Sequence, residues 1–387
     1  MKLFECQKCG QLLYFENTLC EKCGSRLGYL RARETLSVVE PAGEVWRALA
    51  EPERRYRFCA NAEYDVCNWL VDQEQPSPYC LACRHNLTVP DLAVPENVTR
   101  WRKIEYAKHR LMYSLLKLQL PLATRAEDPI DGLGFEFLVP GAARPDGTVT
   151  PVMTGHANGV ITISLTEADD AERERTRSEM GEAYRTLLGH FRHEIGHYYW
   201  DRLIADTGHL EKFRAAFGDE QRDYGEALQQ HYADGPPADW QSNYVSAYAS
   251  THPWEDFAET WAHYFHIIDT LESARAFGII VLPRVPAGAE LATTISFDPH
   301  KAKVGQIIDS WTGLSIAVNE INRSMGLPDL YPFVLAPAVV AKLTFIHESI
   351  HAPRQPAVPK DTAKDTPKDT PKDTLKHAAE PVSTAAP

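Results

Sequence analysis

The chain has 387 residues and a formal net charge of −13, a balance that opposes any general electrostatic grip on nucleic acid or an anionic membrane. Its apolar and charged fractions are ordinary for a globular protein, and its length allows two domains or one domain with appendages. Met1 to Cys6 offers no apolar core for a signal peptide, and no apolar run is long enough to cross a bilayer, so the cytoplasm is the expected compartment.

All eight cysteines lie before residue 84. In a reducing compartment such a cluster favours metal over disulfides. Residues 1–30 carry Cys6-x-x-Cys9 and Cys20-x-x-Cys23, each pair followed by glycine. Two such knuckles turn four thiolates toward one point, as in a zinc ribbon. Residues 31–95 carry a less regular quartet, Cys59, Cys67, Cys80 and Cys83, expected to form a second structural zinc module. Residues 1–95 hold 11 Lys and Arg against 13 Asp and Glu, which does not help a nucleic-acid role for the ribbons. The two sites are expected to fold a region that could not otherwise bury enough core.

Residues 96–120 read as a connecting helix. Trp101, Ile104, Ala107, Leu111, Leu115 and Leu118 recur at helical spacing over 98–120, and Pro121 stops the run. Residues 121–350 form a cysteine-free domain. In it, Gly159 to Leu165 is rich in β-branched residues and predicts a strand, one that could offer an edge to an extended peptide. The charged stretch from Glu167 to Glu179 reads as a solvated face. A helix is predicted over Ser178–Ala205, a second over Pro253–Phe277 ended by Gly278, and a third over Lys301–Met325. Residues 351–387 repeat Lys-Asp-Thr four times among prolines with almost nothing to bury, and read as a disordered tail.

The chemistry concentrates on two of these helices. His193-Glu194-Ile195-Gly196-His197 places two imidazoles at i and i+4, on one face, where both can reach one metal. Glu194 stands beside them as the base for an activated water. A catalytic zinc needs a third protein ligand and an open position. Glu255 can be that ligand, and Glu259, one turn on, can hold the far nitrogen of a ligand histidine. The alternative is a helix start with acids near its positive end. His190, His252, His263 and His266 are weaker candidates. Tyr198, Tyr199, Trp200, Trp261, Tyr264 and Phe265 are expected to pack. A second formal match, His347-Glu348-Ser349-Ile350-His351, lacks a downstream Glu-x-x-x-Glu helix.

HEIGH followed by Glu-x-x-x-Glu resembles the gluzincin metallopeptidases, the group of thermolysin and anthrax lethal factor. The run Glu255 to Glu259, with Tyr248 seven residues upstream, is similar to the lethal-factor-like pattern. That resemblance implies Glu255 as zinc ligand and Tyr248 as the group that stabilises the transition state. More closely, the chain resembles a bacterial family of zinc-binding metallopeptidases with an N-terminal zinc ribbon. It does so through Cys59-Ala-Asn-Ala, Cys67-Asn-Trp-Leu, Leu188 to Trp200 and Tyr248 to Trp261, and the likeness covers nearly everything but the tail. The expected fold is therefore α+β, with N-terminal zinc-ribbon modules followed by a mainly helical zincin-like domain. The expected cofactors are one catalytic and two structural Zn2+, and the expected substrate is a peptide or protein. Two other readings stay open: a zinc-ribbon interaction protein with a non-catalytic zincin-like domain, and an amide hydrolase acting on a non-protein substrate.

Overall fold

The structure, a computed structural model, describes residues 2–141, 152, 154–180, 186–205 and 207–353. The Lys-Asp-Thr repeats expected to be disordered lie outside the described residues.

Each knuckle of the first quartet is closed by its glycine. Gly10 and Gly24 take φ of 68° and 67°, left-handed values that a side chain would strain. Their N–H groups bond back to the carbonyls of Cys6 and Cys20 at 2.9 and 2.8 Å. Strands β1 (Phe4–Glu5) and β2 (Leu12–Leu13) pair antiparallel around the first knuckle. An antiparallel meander follows: β3 (Leu27–Leu30), β4 (Thr35–Ala42), β5 (Val45–Ala48), β6 (Glu51–Phe58) and β7 (Leu70–Asp72). The meander bends back on itself, because the Tyr29 N–H reaches the Asn68 carbonyl at 2.8 Å beside β7. This sheet runs across the boundary expected at residue 30. Phe4, Phe15, Tyr29 and Trp69 share one aromatic cluster, so the two cysteine quartets sit in one packed body.

The expected boundary near residue 95 is crossed too. Strand β8 (Asn86–Thr88) joins β9 (Gly134–Leu138), β10 (Gly155–Ala157) and β11 (Val160–Ser164) in a mixed sheet ordered β10-β11-β9-β8. The strand predicted at 159–165 forms as β11, but between two neighbours: it is antiparallel to β10 and parallel to β9. Over Val160–Thr162 the side away from β9 is taken by β10. Among the described residues the outer strand on that side is β10.

Helix α1 (Pro95–Lys117) starts on a proline, whose missing N–H costs nothing at that position. It is part of the core, where a connector was expected. Trp101, Ile104, Leu111 and Leu115 are buried, and Tyr113 and Ser114 reach acids of the helical domain. Helix α2 (Asp170–Met180) carries the charged face. Helix α3 (Leu187–Trp200) begins later than predicted. Thr186 is extended, and its side chain caps the helix by accepting the Gly189 N–H at 3.0 Å. A π-helical turn, Asp201–Ala205, ends it.

Helices α4 (Leu210–Phe217), α5 (Tyr224–Asp234) and α6 (Trp240–Asn243) lead to α7 (Pro253–Ala276), which matches its predicted limits within a residue. Gly278, at φ 64°, follows it. Short strands β12 (Ile280–Val281) and β13 (Thr293–Thr294) form a pair, then come α8 (Val304–Ser324) and α9 (Pro337–His351). Helix α7 is buried on nearly every face and lies against α3 and α9. On α3, Phe191 meets Phe135 and Phe137 of β9. The sheet, α3 and α7 thus form successive layers of an α+β domain. No helix of the described residues is long and apolar enough to cross a membrane.

Candidate active site and cysteine centres

Helices α3 and α7 touch at Gly196. A Cβ there would stand 3.0 Å from the Ala258 Cα and 3.2 Å from the Trp261 Cβ. The glycine inside HEIGH therefore sets how closely the two ligand-bearing helices approach. Gly196→Ala must push backbone from backbone, at about 1–3 kcal/mol. The expected result is a lower melting temperature together with weaker zinc binding at this site, read by calorimetry and competition with a chelator.

At this contact three atoms converge. His193 Nε2 lies 3.1 Å from His197 Nε2 and 3.1 Å from Glu255 Oε2, and His197 Nε2 lies 3.5 Å from the same oxygen. Donors about 2.0–2.1 Å from one tetrahedral zinc stand about 3.3 Å apart. Glu255 Oε2 is buried and has no hydrogen-bond partner, which is costly unless a cation fills the gap. The residues fit a zinc ion.

The surrounding groups aim these ligands. Glu259 Oε1 takes the Nδ1 side of His193 at 2.7 Å, as expected, and the Ser246 hydroxyl donates to Glu259 Oε2 at 2.6 Å. Such partners fix tautomer and ring orientation. Tyr224, on α5, donates to Glu255 Oε1 at 2.9 Å. Nothing in the sequence marked Tyr224, which is 31 residues from its partner. His252 is spent at the start of α7: its Nδ1 accepts the Trp254 N–H and its Nε2 faces the Arg222 carbonyl. It caps the helix that carries Glu255. Trp254 lies against the His197 ring with centroids 3.7 Å apart. Glu194 is buried beside the histidines at 9 % exposure. Tyr248, half-buried in a turn fixed by the Ala249 N–H to Ser246 Oγ bond, stands with its ring 6.0 Å from that of His193.

The other histidines fall elsewhere. His190 pairs with Glu167 at 3.0 Å, and His263 bonds the Tyr331 hydroxyl at 2.7 Å. His266 stacks near Trp311 and Tyr331. In the second formal motif, His347 meets the Tyr264 hydroxyl, and His351 meets the carbonyls of His347 and His300. These two rings do not converge on a common acid among the described residues. Tyr198, Tyr199, Trp261, Tyr264 and Phe265 are core, as expected, and Trp200 is half-buried.

Burial opposes charge on His193, yet Glu255 and Glu259 outweigh it and hold its pKa well above the ordinary 6.5. Burial lowers that of His197. Burial alone would raise Glu255, but the two imidazoles hold it well below the usual carboxylate range. A raised pKa on His193 means that a proton and a metal compete for this imidazole. Zinc binding at pH 7 should release about one proton from this histidine. The release falls away as the pH rises past the raised pKa of His193. Titration calorimetry in buffers of different ionisation enthalpy reads the number directly.

The cysteine sites differ in exposure. Cys6 and Cys23 stand 3.7 Å apart and Cys9 and Cys20 3.5 Å apart, close to the roughly 3.8 Å edge of a zinc–thiolate tetrahedron. Cys23 is exposed. In the second quartet all four sulfurs are buried, and Cys67 and Cys80 are 3.7 Å apart. Backbone N–H groups of Cys80, Cys83 and Trp69 point at Cys59, Cys80 and Cys67. A residue the sequence did not single out joins this centre from α1. His109 Nε2 lies 3.3 Å from Cys67 Sγ, while its Nδ1 faces the Glu105 carbonyl at 2.6 Å. Glu105 and Lys108 form a fully buried ion pair beside it at 2.8 Å. No cysteine is in a disulfide.

A family model described as "Putative zinc-binding metallo-peptidase" matches residues 97–349. The chain belongs to this family. A second model, described as a zinc-ribbon domain, matches residues 3–94 and so takes in both cysteine quartets. Two relatives of this chain, uncharacterized proteins of Mycobacterium tuberculosis and Mycobacterium bovis, are 44 % identical to it over 351 residues. The alignment covers 90 % of this chain and 94 % of each of theirs. No solved structure matches the chain.

Proposed function

We propose that this chain hydrolyses peptide bonds with a zinc ion held by His193, His197 and Glu255. The observation that carries the reading is the convergence of both Nε2 atoms on Glu255 Oε2, a buried oxygen without a hydrogen-bond partner. Bound there, zinc would lower the pKa of water and polarise a peptide carbonyl. Glu194 takes the proton of the attacking water and passes it to the leaving amine. Tyr248, facing His193, donates to the oxygen on which charge develops. Tyr224 and Glu259 keep Glu255 and His193 aimed, so that little reorganisation accompanies the reaction. An extended peptide adds to the outer side of β10, whose His156 ring lies 6.4 Å from that of His197. The two cysteine quartets hold two further zinc ions that fold the N-terminal part. Eight cysteines outside any disulfide suit the reducing cytoplasm.

Metal content tests this. The wild type should hold three zincs per chain and Glu255→Ala two, with a peptide library cleaved only by the wild type. Two zincs in the wild type, or no cleavage with three, would favour the zinc-ribbon interaction protein.

A further inference from the structure

Helix α8 carries one apolar stripe at alternating steps of four and three residues: Ile307, Trp311, Leu314, Val318, Ile321 and Met325. That spacing keeps all six on one face, as in paired helices. The first three face the core, at 1 %, 3 % and 1 % exposure. The same face then runs off the edge of the domain. Val318 is partly buried, and Ile321 and Met325 are 58 % and 62 % exposed.

The segment after α8 widens this surface and is rigidly held. Asn319 exchanges two hydrogen bonds with the backbone of Tyr331, at 2.9 and 2.8 Å. Asn322 donates to the Pro328 carbonyl at 3.0 Å, and Arg323 grips both oxygens of Asp329. Tyr331 is buried, while Leu327, Leu330 and Val334 point outward at 53 %, 46 % and 69 % exposure. Single exposed apolar residues are ordinary, but a grouped and pre-organised set marks a contact surface.

We propose that a second copy of this chain covers it, α8 packing antiparallel against α8 about a two-fold axis. Two observations select that occupant. A stripe with helix-pairing spacing meets its own complement across a two-fold. Ile321, Met325, Leu327, Leu330 and Val334 together expose on the order of 500–600 Å² per copy, most of the roughly 800 Å² that each partner gives to a standard interface. The remainder is a polar rim such as Glu320 and Ser324.

Sedimentation velocity on the full zinc-loaded chain at micromolar concentration tests the assignment. The wild type should sediment at twice the chain mass. The double variant Ile321→Lys/Met325→Lys should weaken self-association at least about a hundredfold, because each lysine is forced into an apolar contact, with zinc content and helical signal unchanged. Ile316→Lys, on the opposite side of the helix and 48 % exposed, should leave the dimer intact. A monomeric wild type, a double variant that still dimerises, or dissociation by Ile316→Lys each overturns the proposal.

Discussion

Glu194→Gln should lower kcat for peptide cleavage by about a thousandfold, within the range lost when a positioned base is removed. Glutamine keeps the shape and the hydrogen-bonding reach of the side chain but cannot accept the proton. The three atoms that could hold the metal belong to His193, His197 and Glu255, so zinc content should stay at the wild-type level. KM should change little, because the lost interaction acts in the transition state. Steady-state kinetics beside metal analysis separates the outcomes. Turnover within a few-fold of wild type would remove Glu194 from the mechanism. Loss of the active-site zinc would mean that Glu194 holds the ligands in place.

The second large effect concerns a site far from the chemistry. Cys80→Ser should destabilise the whole chain by more than about 4 kcal/mol, the range reserved for losing a structural metal or a buried network. Cys80 is 3 % exposed, donates its N–H to Cys59 Sγ and accepts that of Cys83. Its neighbours His109, Glu105 and Lys108 lie on α1, the helix whose Tyr113 and Ser114 bond Glu272 and Asp269 of α7. Asp269 in turn pairs with Arg192, next to His193. Loss of a metal there would therefore leave buried charge beside a helix shared with the candidate active site. The melting temperature should fall by about 10 °C or more. Cys23→Ser, at an exposed corner of the first quartet, should loosen only that ribbon and leave the active-site zinc bound. Scanning calorimetry with metal analysis distinguishes the two. Equal small shifts in both variants would show that the second quartet is no more integral than the first.

The same helix shows where sequence reading stopped short. The periodicity of Trp101, Ile104, Leu111 and Leu115 identified α1, because a helix face repeats locally. It could not show that the face opposite β8 and β9 would also bring His109 to Cys67, 42 residues away. Strand pairing crosses the boundaries expected at 30 and 95 for a related reason, although the two family models part at 94 and 97. Cysteine spacing marks metal sites, whereas β3 and β8 complete sheets with strands from outside their expected modules. A strand carries no local mark of its partner or of its place in the sheet, so β11 was read as an edge although it lies between β10 and β9.

What the sequence determined by itself was the local chemistry: HEIGH on one helical face, Glu255 and Glu259 one turn apart on another, and cysteines at knuckle spacing. Those patterns are fixed by 3.6-residue geometry and short loops, which need no knowledge of the rest of the chain. The tertiary structure alone decided that the helices meet at Gly196, that Tyr224 and Ser246 hold the acids, and that the rings of the 347–351 motif are occupied elsewhere. These depend on contacts between residues tens of positions apart, which packing of the whole core selects and no local pattern encodes.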